Sequence, residues 1–179
     1  MRRIFNQICQ WRSWLVMPFA TLWLLAGLVV AGPALATAVY ELPPLRAGDP
    51  TWVVDKAEVL SRLNEGSISS KLEKLQRETG YEVRLVTIRR LDYGDTAKTY
   101  TDKVFETWFP TEDAQANQVL LILDNVTNDA GIRTGAGVKS LLTDEIAESV
   151  VSETLQVPLR QGDKYNQALL DASDRLVTV

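Results

Sequence analysis

The run Gln118-Val119-Leu120-Leu121-Ile122-Leu123 decides the fold. It is too short for a globular helix and has no polar face. A continuous apolar run of this length is the pattern of a central strand covered on both faces. Such a strand needs helices above and below it, and the flanking sequence supplies them.

Working outward toward the N-terminus, Asp95 can cap a helix whose inward stripe is Ala97, Tyr100, Val104 and Trp108, ended by Phe109-Pro110. Before it, Glu82 to Ile88 reads as a strand rich in Val, Leu and Ile. Ser61 to Thr79 reads as a helix with Ile68, Leu72 and Leu75 on one stripe and Gly80 as its stop, its first turns weakened by Gly66. Thr51 to Asp55 is a short extended segment. Residues 37–50, with Pro43-Pro44 and Gly48-Asp49-Pro50, read as a linker. Trp108 belongs to the core, whereas Trp52, beside the linker, is expected at the surface.

Toward the C-terminus, Asn125 to Asp129 make a turn and Ala130 to Thr134 a hairpin partner for the central strand. Thr143 or Asp144 starts a helix carrying Ile146, Val150 and Leu155. Asp163 caps a last one, with Tyr165, Leu169, Ala172 and Leu176 inward. Helices between strands imply parallel neighbours and right-handed crossovers. The expected fold is therefore α/β: one domain over residues 51–179, a three-layer α/β/α sandwich around a small, mostly parallel sheet.

The first 36 residues have another purpose. Arg2, Arg3 and Arg12 precede an apolar run from Trp14 to Ala31, followed by Gly32-Pro33 and the small-residue steps Ala34-Leu35-Ala36 and Ala36-Thr37-Ala38. These are the three parts of a secretory signal peptide, with cleavage after Ala36 or Ala38. An uncleaved membrane anchor is the rival reading, since a spanning helix needs about 20 apolar residues. Removing the leader takes three Arg and no acid, so 16 basic side chains face 23 acidic ones and the formal charge moves from −4 to −7. An acidic exported domain argues against nucleic acid and against an anionic membrane surface.

The chain has no histidine, and its one cysteine, Cys9, lies in the leader. That excludes a Ser-His-Asp triad, a thiolate nucleophile and a Cys/His zinc site. Chemistry must come from carboxylates. Asp124 falls at the carboxyl end of the central strand, where open α/β sheets collect ligands. Asp55 closes the first extended segment, and Asp144 opens a later helix. Brought together, the three would repel unless a divalent cation, calcium or magnesium, sat among them. The competing structural reading gives Asp144 a capping role and Asp124 a turn role. A second candidate is the turn holding Gly135 and Gly137, whose N–H groups, with Arg133 or Lys139, would cradle an anion. Its structural reading is a tight turn needing positive φ.

Five stretches in order resemble a known family. Asp55-Lys56-Ala57-Glu58-Val59-Leu60-Ser61 is similar to the D-x-A-x-x-L-S opening of TPM domains. Thr79-Gly80-Tyr81-Glu82-Val83 before a strand, then Val119-Leu120-Leu121-Ile122-Leu123-Asp124, continue the likeness. Ile132-Arg133-Thr134-Gly135-Ala136-Gly137-Val138 and Leu141-Leu142-Thr143-Asp144 complete it. Within the family, the chain most resembles the branch of cyanobacterial photosystem II repair proteins and plant thylakoid-lumen acid-phosphatase-like proteins. The resemblance implies an α/β/α fold and a lumenal accessory role in repair and photoprotection of photosystem II, with photosystem II subunits or repair intermediates as partners. It implies a thylakoid-lumen or lumenal-side membrane address, or a periplasmic one, with peripheral attachment or a retained leader. It also implies, as the alternative activity, a metal-assisted acid phosphatase. The positions matching the family pattern are Asp55, Asp124 and Asp144 as cation ligands, Asp124 and Asp144 as catalytic groups, and Gly135, Gly137 and Arg133 around an anion.

Overall fold

The computed structural model describes residues 36–179. The signal-peptide reading of residues 1–35 and Cys9 lie outside the described residues. Four strands form one sheet in the order β1 (Val53–Asp55), β2 (Glu82–Ile88), β3 (Gln118–Asp124) and β4 (Ala130–Thr134). The first three are parallel, and β4 pairs antiparallel with β3 as a hairpin. All seven residues of β3 are buried, as its unbroken apolar run requires.

Strand periodicity divides the core in two. Val83, Leu85, Val119, Leu121 and Leu123 face one layer, and Val86, Ile88, Leu120 and Ile122 face the other. The first layer holds α1 (Arg62–Thr79), which contributes Ile68 and Leu72. It also holds a composite helix running from α4 (Asp144–Ser149) through a π-helical stretch (Val150–Leu155) into α5 (Gln156–Arg160). The last helix, α6 (Tyr165–Thr178), completes that layer. The second layer holds α2 (Ala97–Trp108), contributing Tyr100, Val104, Phe105 and Trp108. The short α3 (Glu112–Gln115) follows it. The three-layer α/β/α sandwich is thus the observed fold.

This layering corrects one expectation. The strand order advances in one direction, β1 to β2 to β3, yet α1 and α2 lie on opposite faces. The two crossovers must therefore be of opposite hand, and only one obeys the right-handed rule.

Helix termini follow local chemistry. Ser61 caps α1, and Gly80, in the left-handed region at φ 78°, ends it by donating to Gln76 O at 2.8 Å. The expected caps Asp95 and Asp163 are displaced by neighbours. Thr96 and Thr99 form a reciprocal capping box on α2, freeing Asp95 to take the Lys103 ammonium at 2.7 Å. Asp163 adopts φ 53° one step before the α6 cap Lys164. The helix at Asp144 runs on further than its apolar stripe implied. Its π-helical stretch lies just ahead of Pro158, which lacks the N–H an α-helical turn would use.

The segment 37–50, read as a linker, packs onto the α2 layer. Leu42 and Leu45 are buried in the core, and Val39–Glu41 form a 3₁₀ turn. Arg84, 1% exposed, fixes this arm. It donates to Arg46 O at 3.0 Å and Asp49 O at 3.1 Å, to the Glu82 carboxylate at 2.7 Å, and to Gln118 Oε1. Glu82 accepts from Gly48 N–H in turn. Trp52 is buried rather than exposed, because its ring lies 5.6 Å from the Arg84 guanidinium, with Phe109 at 5.4 Å also against that group.

Candidate functional site

Four loops meet at the carboxyl end of the parallel strands: 56–61 after β1, 89–96 after β2, 125–129 after β3, and 161–164 before α6. Parallel α/β sheets present ligand-binding crevices at this end. Here the loops are tied into a closed ring. Arg89 reaches Glu58 at 3.6 Å, joining the first two loops. Asn125 N–H donates to Ile88 O at 3.0 Å, fastening the third loop to the end of β2, from which the second loop leaves. The Tyr165 hydroxyl lies 2.9 Å from both Asn125 O and Asn128 Oδ1, and Asn128 Nδ2 donates to Asp163 at 2.9 Å. Asn166 closes the ring, accepting from Ser61 N–H at 2.8 Å and donating to Val59 O at 3.1 Å.

The ring holds strained backbone. Glu58, Asn128 and Asp163 adopt φ 56°, 57° and 53°, one in each of three loops. A left-handed non-glycine residue costs about 1–2 kcal/mol, so the ring must over-determine these conformations. Burial raises the Tyr165 phenol above its ordinary pKa, with Asp163 and Asp124 adding to the shift.

The expected carboxylates are placed as follows. Asp55 accepts from Val59 N–H at 3.1 Å and Leu60 N–H at 2.9 Å, and from the Thr87 hydroxyl. Asp124 is fully buried, accepting from Val126 N–H at 2.9 Å and the Thr127 hydroxyl at 2.8 Å. Register separates the two. Asp55 is level with Thr87, whereas Asp124 is level with Ile88, so they belong to opposite faces with β2 between them. Two strand spacings put about 10 Å between their backbones. Asp144 is exposed and pairs with Lys139 at 2.9 Å, beyond the exit of β4. That exit is level with Val119, about 16 Å along β3 from Asp124 at strand rise. Asp144 does not cap its helix either; the Thr143 side chain does. Thr143 and the Glu145 backbone N–H instead hold the neighbouring Glu145 carboxyl below its usual range, the backbone bond being the larger cause. The three carboxylates therefore do not fit one cation, and among the described residues no three acidic, Cys or His side chains gather as a ligand set.

Gly135 and Gly137 lie at the opposite end of the sheet. Their N–H groups donate at 2.8 Å to Gln118 O and Ala116 O, so the backbone has spent them. Neither has positive φ. A Cβ at Gly135 would strike the Gln115 and Ala116 carbonyls, so close approach of two backbones is what demands glycine there. Arg133 pairs with Asp102 at 3.3 Å and lies over the Phe105 ring.

What the rim presents is a mixture of apolar and charged side chains. Leu63 is 86% exposed, Tyr93 is fully exposed, and Val126 is half-exposed; each sits in or beside a ring loop. The acids Glu58, Asp92 and Asp163 and the bases Lys56, Arg62, Arg89, Arg90 and Lys164 are exposed among them. Sequence reasoning missed the ring residues Thr87, Thr127, Asn128 and Asn166. Their signal was the recurrence of short polar side chains near the carboxyl ends of β2 and β3 and in the first turn of α6.

Comparison with known proteins agrees with this architecture. The family model for the TPM domain matches residues 53–179. The chain belongs to the TPM-domain family. A chloroplastic UPF0603 protein of Oryza sativa subsp. indica is 33% identical over 138 residues, covering 76% of this chain and 46% of its own length. A chloroplastic UPF0603 protein of Arabidopsis thaliana is 32% identical over 148 residues, covering 82% of this chain and 50% of its own. The chain thus spans about half the length of these curated relatives. Among solved structures, the N-terminal domain of a P. gingivalis protein superposes with TM-score 0.72 at 19% identity, covering 80% of this chain and 91% of that one. The N-terminal domain of a Corynebacterium glutamicum protein gives TM-score 0.58 at 16% identity, covering 81% and 86%.

Proposed function

We propose that this chain is an exported accessory factor in photosystem II repair and photoprotection. It works on the lumenal side of the thylakoid by binding photosystem II subunits or repair intermediates. Family membership, chloroplastic relatives and the export leader support the setting. One observation carries the binding mode. The rim carboxylates Asp55 and Asp124 use their oxygens on their own loops, while Leu63, Tyr93 and Val126 stand in solvent. These apolar side chains, all at the carboxyl end of the sheet, are what such a partner would cover. Acids and bases are both exposed around them, Glu58, Asp92 and Asp163 beside Lys56, Arg62, Arg89, Arg90 and Lys164, so the partner's apolar contact should be edged by polar groups of both signs.

A deletion strain under strong light tests the role. Recovery of oxygen evolution should be slowed; recovery equal to wild type would refute it. The alternative, a metal-assisted acid phosphatase, requires a cation bound near Asp124. Melting with calcium or magnesium discriminates, since an ion at 100 times its Kd adds about 2.7 kcal/mol. The binding account expects no metal-dependent shift and no phosphate release from a generic ester. A shift and a hydrolysis that both vanish in Asp124→Ala would establish the enzyme instead.

A further inference from the structure

We infer that the leader is removed between Ala36 and Thr37, and that the new α-amino group of Thr37 is a structural hydrogen-bond donor to the Arg90 carbonyl. The sequence offers two equivalent small-residue steps, ending at Ala36 and Ala38. The fold distinguishes their products. Thr37 is 7% exposed, and its backbone nitrogen donates to Arg90 O at 2.9 Å, fastening the start of the arm to the loop after β2. The next residue, Ala38, is the cap of the 3₁₀ turn, and its carbonyl accepts from Glu41 N–H at 2.9 Å. The compact unit that holds the sheet begins at Ala36.

Cleavage after Ala38 would discard Thr37 and its bond to Arg90. It would also discard the carbonyl that closes the 3₁₀ turn, and place a charged terminus on Val39, which packs against the α2-layer core. Cleavage after Ala36 loses none of these. In that step a membrane-bound leader peptidase adds water across the Ala36–Thr37 peptide bond. The hydroxyl goes to the Ala36 carbonyl carbon and the water's other proton to the Thr37 nitrogen, and the new carboxylic acid then gives its proton to the amine, leaving a carboxylate on the leader and an ammonium on Thr37. The resulting ammonium keeps the Arg90 carbonyl as acceptor, now in a charge-assisted bond. Residues 37–50 are then the first folded element of the mature domain. This inference does not depend on the docking role of the rim.

Two measurements test it. The full-length chain is exported in a bacterial host, recovered, and its intact mass and N-terminal residue determined. Thr37 as the first residue is expected; Val39 as the first residue, or an intact leader, overturns the inference. Chains beginning at Thr37 and at Val39 are then compared by thermal melting. The Val39 chain, which lacks both the Thr37–Arg90 and the Glu41–Ala38 bonds, should melt about 6 °C lower, at about 3 °C for each net hydrogen bond in a domain of this size. Equal melting would remove the structural role of the Thr37 amine.

Discussion

Replacing Arg84 by methionine is the most informative perturbation of the fold. Arg84 is almost fully buried and binds the Glu82 carboxylate, Gln118 and two arm carbonyls, with Trp52 and Phe109 against its guanidinium. Only its Nε lacks a partner. Methionine keeps much of the volume but leaves the buried Glu82 charge with Gly48 N–H alone. Stranding one member of a buried ion pair costs about 3–5 kcal/mol. Two carbonyls of the arm lose their donor as well, so the loss should sit at the upper end and detach residues 42–49 first. At about 3 °C per kcal/mol for a domain of this size, Arg84→Met should lower Tm by about 10–15 °C. Urea unfolding of residues 37–179 measures it. The double variant Arg84→Met/Glu82→Gln removes the stranded charge and should recover about 2 kcal/mol. A single-variant loss under about 1 kcal/mol, or no recovery in the double variant, would refute the claim that this charge pair holds the arm.

The remaining expectations concern Tyr100 and the glycines. Tyr100 is fully buried and its hydroxyl has no partner, so Tyr100→Phe should stabilise by about 1 kcal/mol in urea titrations at neutral pH. Burial, then the charges of Glu41, Asp92 and Asp95, raise the Tyr100 phenol well above its ordinary range. The folded state therefore holds that proton more tightly. Its contribution is complete below about pH 10 and is lost as pH rises from there toward the folded value, a decline that Tyr100→Phe should flatten. Gly135→Ala should cost about 2 kcal/mol by denaturant melting, because the Gln115 and Ala116 carbonyls occupy the Cβ position. Gly66→Ala, in an open stretch of α1, should instead stabilise by about 0.5–1 kcal/mol.

The layers were legible in the sequence because burial writes itself as periodicity. The unbroken run at 118–123 could only be a strand covered on both sides, and the stripes of α1, α2 and α6 gave the helices that cover it. Crossover hand was not legible. It depends on which face each helix takes, and a stripe does not say which side of the sheet it meets. Trp52 and the arm were misread for a related reason: a proline-rich segment looks like a linker until Arg84, thirty-odd residues later, supplies donors for its carbonyls. Asp124 was placed correctly at the carboxyl end of β3. Its separation from Asp55 was hidden, because a one-residue offset in strand register moves a side chain to the other face. Asp144 lay further still, carried past the far end of β4 by the hairpin.

Binding of the mature domain to photosystem II membranes, wild type against Leu63→Ser/Tyr93→Ser/Val126→Ser, tests the central claim most directly. These side chains are exposed, so the triple variant should fold with stability within about 0.5 kcal/mol per site of wild type. The docking account expects the wild type to bind and the variant to bind at least about tenfold more weakly, a loss of about 1.4 kcal/mol or more. Equal binding by the two proteins would contradict it.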